Sequence, residues 1–278
     1  MKLVELHWTV HPDKSKGLYY DSEGKPRSPW YDKEIKSKQM TPSAVARELD
    51  LNDEMSVEGI IFPEFKESHI LRGEYKLNQH KPVIRTIDYG ACCACLFSQK
   101  NDYGGLLVFK EIVILKNGSA PQLAKKIVSY SAELDCLGFR DHDDPAGQHD
   151  GWVNDTTSAQ VMIQHGIRPT HKVSGASNKR RTDRIEMIHA KLMERVGNND
   201  EVVQIHESCT TLIDAFLFGY RHPEKPDGSI DQDDIDEIHP YEDVMDCFGM
   251  TLVEEFTVQK PPPIAQRQQR RGNRYTGY

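Results

Sequence analysis

Three groups of carboxylates in this 278-residue chain stand at positions that call for a partner. Asp88 lies inside an apolar run holding Val83, Ile84, Ile87 and Ala91, where an unpaired charge would be costly. An Asp that simply ends a strand at the Tyr89–Gly90 turn is the bland alternative. Asp141, Asp143 and Asp144 crowd the end of a second short apolar segment. Like charges that close repel, and cations are a natural way to hold them, although a solvated turn would also carry them. Asp243 and Asp246 sit one helical turn apart in a segment that otherwise shows Val244, Met245, Phe248 and Met250. Carboxylates from two adjacent strands and one packed helix can converge on two divalent cations roughly 4 Å apart, an arrangement that hydrolyses phosphodiesters. Oxygen-only ligands favour Mg²⁺ or Mn²⁺ over Zn²⁺.

Other familiar sites are missing. No G-x-x-x-x-G-K-[ST] run is present to cradle a nucleoside triphosphate. Cys92 and Cys95 form a C-x-x-C without a second pair, and read as buried strand thiols. Asp227–Glu237 is acidic but lacks the sixth-position glycine and the terminal glutamate spacing of a calcium loop. The six cysteines are too sparse for a disulfide scaffold, so a reducing compartment is expected. No window approaches eighteen apolar residues, which excludes a helical membrane span, and the first dozen residues do not read as a signal peptide.

Net charge is −8, yet the charge is segregated. Residues 156–182 carry Arg168, Lys172, Lys179, Arg180 and Arg181 and no acid, and Thr257–Tyr278 is likewise basic. Residues 224–246 carry ten carboxylates against Lys225 alone. Such separation lets an acidic protein bind a polyanion.

The elements that must position these groups alternate between strand and helix. Thr41 and Pro42 open a helix over Ser43–Leu49, and Met55–Phe62 reads as a strand. Tyr19–Glu34 reads as turn-rich. Pro82–Ser98 is a long strand candidate and Gly105–Leu115 a second strand or pair. A helix follows over Gln122–Leu134, then a short strand within Cys136–Gly147. Thr156–Ser158 caps a helix to His165, Arg168–Val173 is a short strand, and a helix runs from about Arg180 to Val196. Glu201–Ile205 is a strand, Glu207–Phe218 a helix, and the last helix spans about Tyr241–Glu254. The expected class is α/β with a mixed sheet.

Ordered segments then point to a family. His7–Pro12, Ser28–Glu34, Ala46–Asp50 and the S-x-x-G-x-x-F of Ser56–Phe62 resemble the junction between packaging ATPase and nuclease in tailed-bacteriophage terminase large subunits. Arg85–Gly90, Asp143–Gly147, Arg184–Leu192 and Asp243–Met250 resemble that family's nuclease motifs, in order. The resemblance implies a ribonuclease H-like mixed sheet flanked by helices, with the first and fourth strands side by side. Asp88, Asp144 and Asp246 then match its catalytic and metal-binding acids, with Asp243 an auxiliary fourth carboxylate. Asp141 or Asp143 competes with Asp144, and Cys247 and Met250 depart from the family's usual neighbours of the helix acid.

Further implications follow from the same resemblance. The domains would be a linker subdomain over 1–80 following a missing ATPase, a nuclease over 81–256 and a basic tail over 257–278. The function would be a Mg²⁺- or Mn²⁺-dependent endonuclease, using two ions, that cuts concatemeric double-stranded viral DNA during genome packaging. Arg168, Lys172, Lys179, Arg180, Arg181 and Arg184 would contact DNA phosphates, giving salt-sensitive binding with little sequence preference. Partners would include the portal or procapsid, the terminase small subunit and the upstream ATPase domain, in the host cytoplasm. A non-catalytic docking module between ATPase and portal, and a junction resolvase of the same fold, are the rival readings.

Overall fold

The computed structural model describes residues 6–21, 24–38, 45, 49–50, 59–89, 92–115, 118–144, 156–170, 181–197, 199–225 and 227–257. Its N-terminal elements are β1 (Tyr19–Tyr20), β2 (Pro26–Arg27), α1 (Pro29–Lys38) and β3 (Ile70–Leu71). The long strands β4 (Val83–Asp88), β5 (Ala94–Lys100) and β6 (Leu106–Val113) come next, then α2 (Ala120–Ser131), β7 (Phe139–Asp143), α3 (Ser158–Gln164) and α4 (Arg181–Met193). The chain ends through β8 (Arg195–Val196), β9 (Asp200–Glu201), β10 (Val203–His206), α5 (Thr210–Asp214) and α6 (Tyr241–Phe256).

Six strands form one mixed sheet in the order β3-β10-β6-β5-β4-β7. β4, β5 and β6 run antiparallel to one another, whereas β7 joins β4 in parallel, with Thr86 opposite His142 and Ile87 opposite Asp143. The first long strand therefore lies beside the fourth. Alternation along β4 sends Ile84, Thr86 and Asp88 to one face and Val83, Arg85 and Ile87 to the other. On the first face Ile84, Leu96 and Val108 pack against Ile188 and Leu192 of α4, Leu212 of α5 and Val244 and Phe248 of α6. On the second, Val83, Ile87, Phe97 and Phe109 meet Leu123 and Ile127 of α2 and Met162 of α3. The result is a sheet with helices on both faces.

This double coverage explains the main departure from the sequence reading. Pro82–Ser98 is not one strand but two, because β4 and β5 are buried on both faces and carry no polar alternation to mark the break. Glu201–Ile205 resolves into β9 and β10. The helix expected to Val196 stops at Met193, since Arg195 and Val196 pair with Glu201 and Asp200 across a turn where Gly197 has φ 54°. The helix expected from Glu207 starts at Thr210, where Glu111 of β6 accepts the N–H groups of Thr211 (2.8 Å) and Leu212 (3.0 Å). In the described part of Arg168–Val173 a bridge joins Pro169 to Asp141, and residues 171–180 lie outside the described residues. Most of Ser43–Leu49 and the first half of Met55–Phe62 also lie outside them, and the described half of the latter holds a bridge of Ile60 to Arg221 in place of a strand.

The N-terminal part divides in two. Trp8, Tyr31 and Leu49 form their own apolar cluster, whereas Ile61, Phe62 and Phe65 join the core of the sheet's first face. Among the described residues of 1–80, the separate cluster is drawn from residues up to Leu49. The turn-rich reading of Tyr19–Glu34 gives way to α1, and the reason is local. The buried Ser28 Oγ accepts the Tyr31 N–H at 3.1 Å, and Pro29 opens the helix with φ already suitable. Ser28→Ala should lower the stability of this cluster by about 1 kcal/mol. Urea titration followed by tryptophan fluorescence checks it; an unshifted transition would show that the cap contributes nothing.

Candidate functional site

Asp88 is the last residue of β4, and Asp144 follows the last residue of β7. The Asp144 N–H donates to the Ile87 carbonyl at 3.0 Å, which carries the ladder one residue further and sets the two acids side by side. Both belong to the sheet face covered by α6. That helix is pinned to β4 where the hydroxyls of Thr251 and Thr86 stand 2.7 Å apart. Asp246 and Asp243 lie one and two turns before Thr251 and so reach the strand ends where Asp88 stands. Asp88 is 6% exposed, and the charges facing it are Asp246, Asp144 and Asp243, opposed by the Arg184 guanidinium. Burial first, then these three carboxylates, push its pKa well up. Asp246 is also raised, mainly by burial, against the pull of Arg184 and Arg181.

Alternation decides among the three acids near the end of β7. Asp141 points to the opposite face, where its carboxylate accepts Arg85 Nε (2.6 Å) and Nη2 (2.9 Å) and the Arg168 N–H (2.8 Å). Asp143 points the same way and accepts the Tyr89 hydroxyl at 3.0 Å. His142 faces α6 between Glu255 and the Thr170 carbonyl. Asp144 alone of the three acids shares the face of Asp88.

Two of the site's carboxylates are paired with basic side chains. Arg184 Nη2 donates to Asp246 Oδ2 at 2.8 Å, and His239 Nδ1 lies 2.7 Å from Asp243 Oδ2. The contact with Asp243 raises the His239 pKa, and Asp243 Oδ1 also takes the Cys92 N–H at 3.4 Å. Arg181 pairs with Glu242 and, at 3.4 Å, with Glu237. As the side chains stand, no three acids, histidines or cysteines among the described residues converge on one point. The donor chemistry nonetheless fits a hard divalent cation. Four carboxylates gather at one edge, they supply oxygen only, and their repulsion adds to burial in raising the Asp88 pKa against the pull of Arg184.

The expected DNA-contacting residues separate. Arg168 is exposed, at the edge of the sheet beyond β7. Arg181 is half-buried and Arg184 buried, each turned to acids of α6 or its flank. Lys172, Lys179 and Arg180 lie outside the described residues. His239 was not anticipated, although its place four residues before Asp243 is a legible i, i+4 spacing. Tyr220, buried beside Asp246 and Arg184, leaves no such trace.

Solved structures resemble this fold. The large terminase of a thermophilic bacteriophage matches with a TM-score of 0.51 and 14% identity, over 70% of this chain and 44% of that one. The P22 large terminase nuclease domain matches with a TM-score of 0.50 and 13% identity, over 70% of this chain and 91% of that one. The fold is thus the ribonuclease H-like α/β fold of terminase nuclease domains, and the chain spans less than half the length of the thermophilic phage's protein. No protein-family model and no curated protein sequence matches the chain.

Proposed function

We propose that this chain is the nuclease part of a viral DNA-packaging terminase, a Mg²⁺- or Mn²⁺-dependent endonuclease that cuts double-stranded DNA. The observation that carries it is the placement of Asp88 at the end of β4 and Asp144 just past the end of the parallel β7, facing Asp246 and Asp243 of one packed helix. Asp88, Asp144 and Asp246 would hold two ions, with Asp243 as the auxiliary fourth carboxylate. When bound, divalent ions supply charge stabilisation at a scissile phosphate and make water a better nucleophile at neutral pH. The chain's own part is to fix the acids. β4 and β7 hold Asp88 and Asp144 through the ladder, and the Thr251–Thr86 contact sets the depth of α6.

DNA reaches the site as a polyanion. Arg168 and the basic run of Lys172, Lys179 and Arg180 are the proposed phosphate contacts, which recognise backbone rather than sequence. Arg181 and Arg184 were expected to share this role and stand paired with Glu242 and Asp246, so we centre the proposed phosphate contacts on the other four. The division into a connecting segment, a nuclease domain and the basic tail 257–278 belongs to the same reading. So do an ATPase domain on the same polypeptide, a small subunit and a portal as partners, and action in the host cytoplasm. Among the described residues no helix is long and apolar enough to cross a membrane.

Plasmid digestion in EDTA, Mg²⁺ and Mn²⁺ side by side tests the reading. Nicked and linear products should form with either metal, fall off as salt rises, and vanish in EDTA. Cutting that persists in EDTA, or full protection under both metals, would overturn the catalytic reading. Full protection would leave the docking module as the better account.

A further inference from the structure

Two buried arginine–aspartate pairs in this fold differ in kind. Arg85 grips Asp141 through Nε at 2.6 Å and Nη2 at 2.9 Å, with Ser131 satisfying Nη1 at 2.9 Å. That is a two-pronged contact in the interior, of the geometry that makes guanidinium–carboxylate pairs strong. Arg184 Nη2 meets Asp246 Oδ2 at 2.8 Å, and the two side chains are 10% and 18% exposed. The second pair is part of the acidic site itself, since both its charges act on Asp88. A guanidinium cannot shed its charge by losing a proton, so it neutralises these acids at every accessible pH.

The groove for Arg184 is built into the facing helix. A Cβ on Gly249, one turn after Asp246, would lie 2.8 Å from Arg184 Cβ and 3.2 Å from Cδ. Glycine there lets α4 approach α6 closely enough for the guanidinium to reach Asp246. The arginine is thus lodged beside Asp246 and Asp88 by the shape of the helix interface.

We propose that Arg184 is the resident counter-ion of the acidic site, holding Asp246 in the metal-free protein and giving that oxygen up when a divalent ion loads. Arg184 then sets how much metal is needed to fill the site. This rests on reading the four acids as a metal centre. A fixed positive charge beside a cation site opposes loading, and its removal frees Asp246 Oδ2 as well.

Calorimetric titration of the whole chain with MnCl₂ alone, paired with thermal melting in EDTA and in Mn²⁺, tests the proposal. Arg184→Gln should bind Mn²⁺ on the order of tenfold more tightly than the wild type. It should also melt lower in EDTA, with the gap closing at saturating Mn²⁺. Arg184→Lys keeps the charge and should stay near the wild type in both readouts, and it carries the test should the glutamine variant fail to fold. A glutamine variant with unchanged or weaker Mn²⁺ binding would overturn the proposal, as would a melting deficit that Mn²⁺ does not close, because a mere helix brace behaves that way. A lysine variant whose affinity moves about tenfold in either direction would do the same. Heat of Mn²⁺ binding missing from the wild type itself would instead bring down the metal-centre reading, and this proposal with it.

Discussion

Asp88→Asn should abolish metal-dependent cutting, a loss of at least ~10²-fold, while making the metal-free protein more stable. The two effects share one cause. Asp88 is buried among Asp246, Asp144 and Asp243, which push its pKa up, so its ionised form is a liability until a cation arrives. A raised carboxyl pKa means that the folded state binds more protons than the unfolded chain between the ordinary carboxylate pKa and the raised one. Stability attributable to this group therefore falls as pH rises through that window. Asparagine does not titrate. The melting advantage of the variant in EDTA should thus grow with pH across the window and disappear below the ordinary carboxylate range. Saturating Mg²⁺ should reverse the order, because a ligand that binds only the folded wild type stabilises it by mass action. Melting curves at several pH values, in EDTA and in metal, read all of this beside the plasmid assay. An Asn variant that cuts normally would remove Asp88 from the site. One that melts below the wild type in EDTA would show that its charge is already compensated.

Much of this arrangement was legible because its signals are local. Thr157 caps α3 through the Gln160 N–H at 3.1 Å, and Gly166 with φ 79° ends that segment, as residue types alone suggest. The acids on β4 and α6 stood out because each interrupts an apolar pattern. What was hidden depends on contacts between distant segments. Charge content alone placed Arg184 with the basic face, since the stretch 156–182 before it holds no acid. Periodicity adds that Arg184, Ile188 and Leu192 recur at four-residue spacing, and all three are buried. A charged residue on the apolar stripe of a helix needs a partner across the interface, and Asp246 is that partner. Only the tertiary structure supplies its name.

The acid cluster after β7 shows the same limit more sharply, and its resolution is testable. Composition cannot rank Asp141, Asp143 and Asp144, because which face each takes depends on where β7 begins and how it registers with β4. The pairing of Arg85 with Asp141 fixes that register and assigns Asp141 to the interior. Asp141→Asn should then cost about 3–5 kcal/mol, because it leaves the Arg85 guanidinium buried without its counter-charge. Asp144→Asn makes the same chemical change three residues later, on the face of Asp88, and should eliminate cutting. The folded fraction of the Asp141 variant, held at low temperature, should still cleave. Urea unfolding and plasmid cleavage measured on both variants separate the roles. Were Asp141→Asn to unfold like the wild type and lose all cutting, the interior assignment would be wrong and the metal-binding strand acid would be Asp141. A single register decides between them, since a shift of one residue would exchange the faces of every side chain on β7.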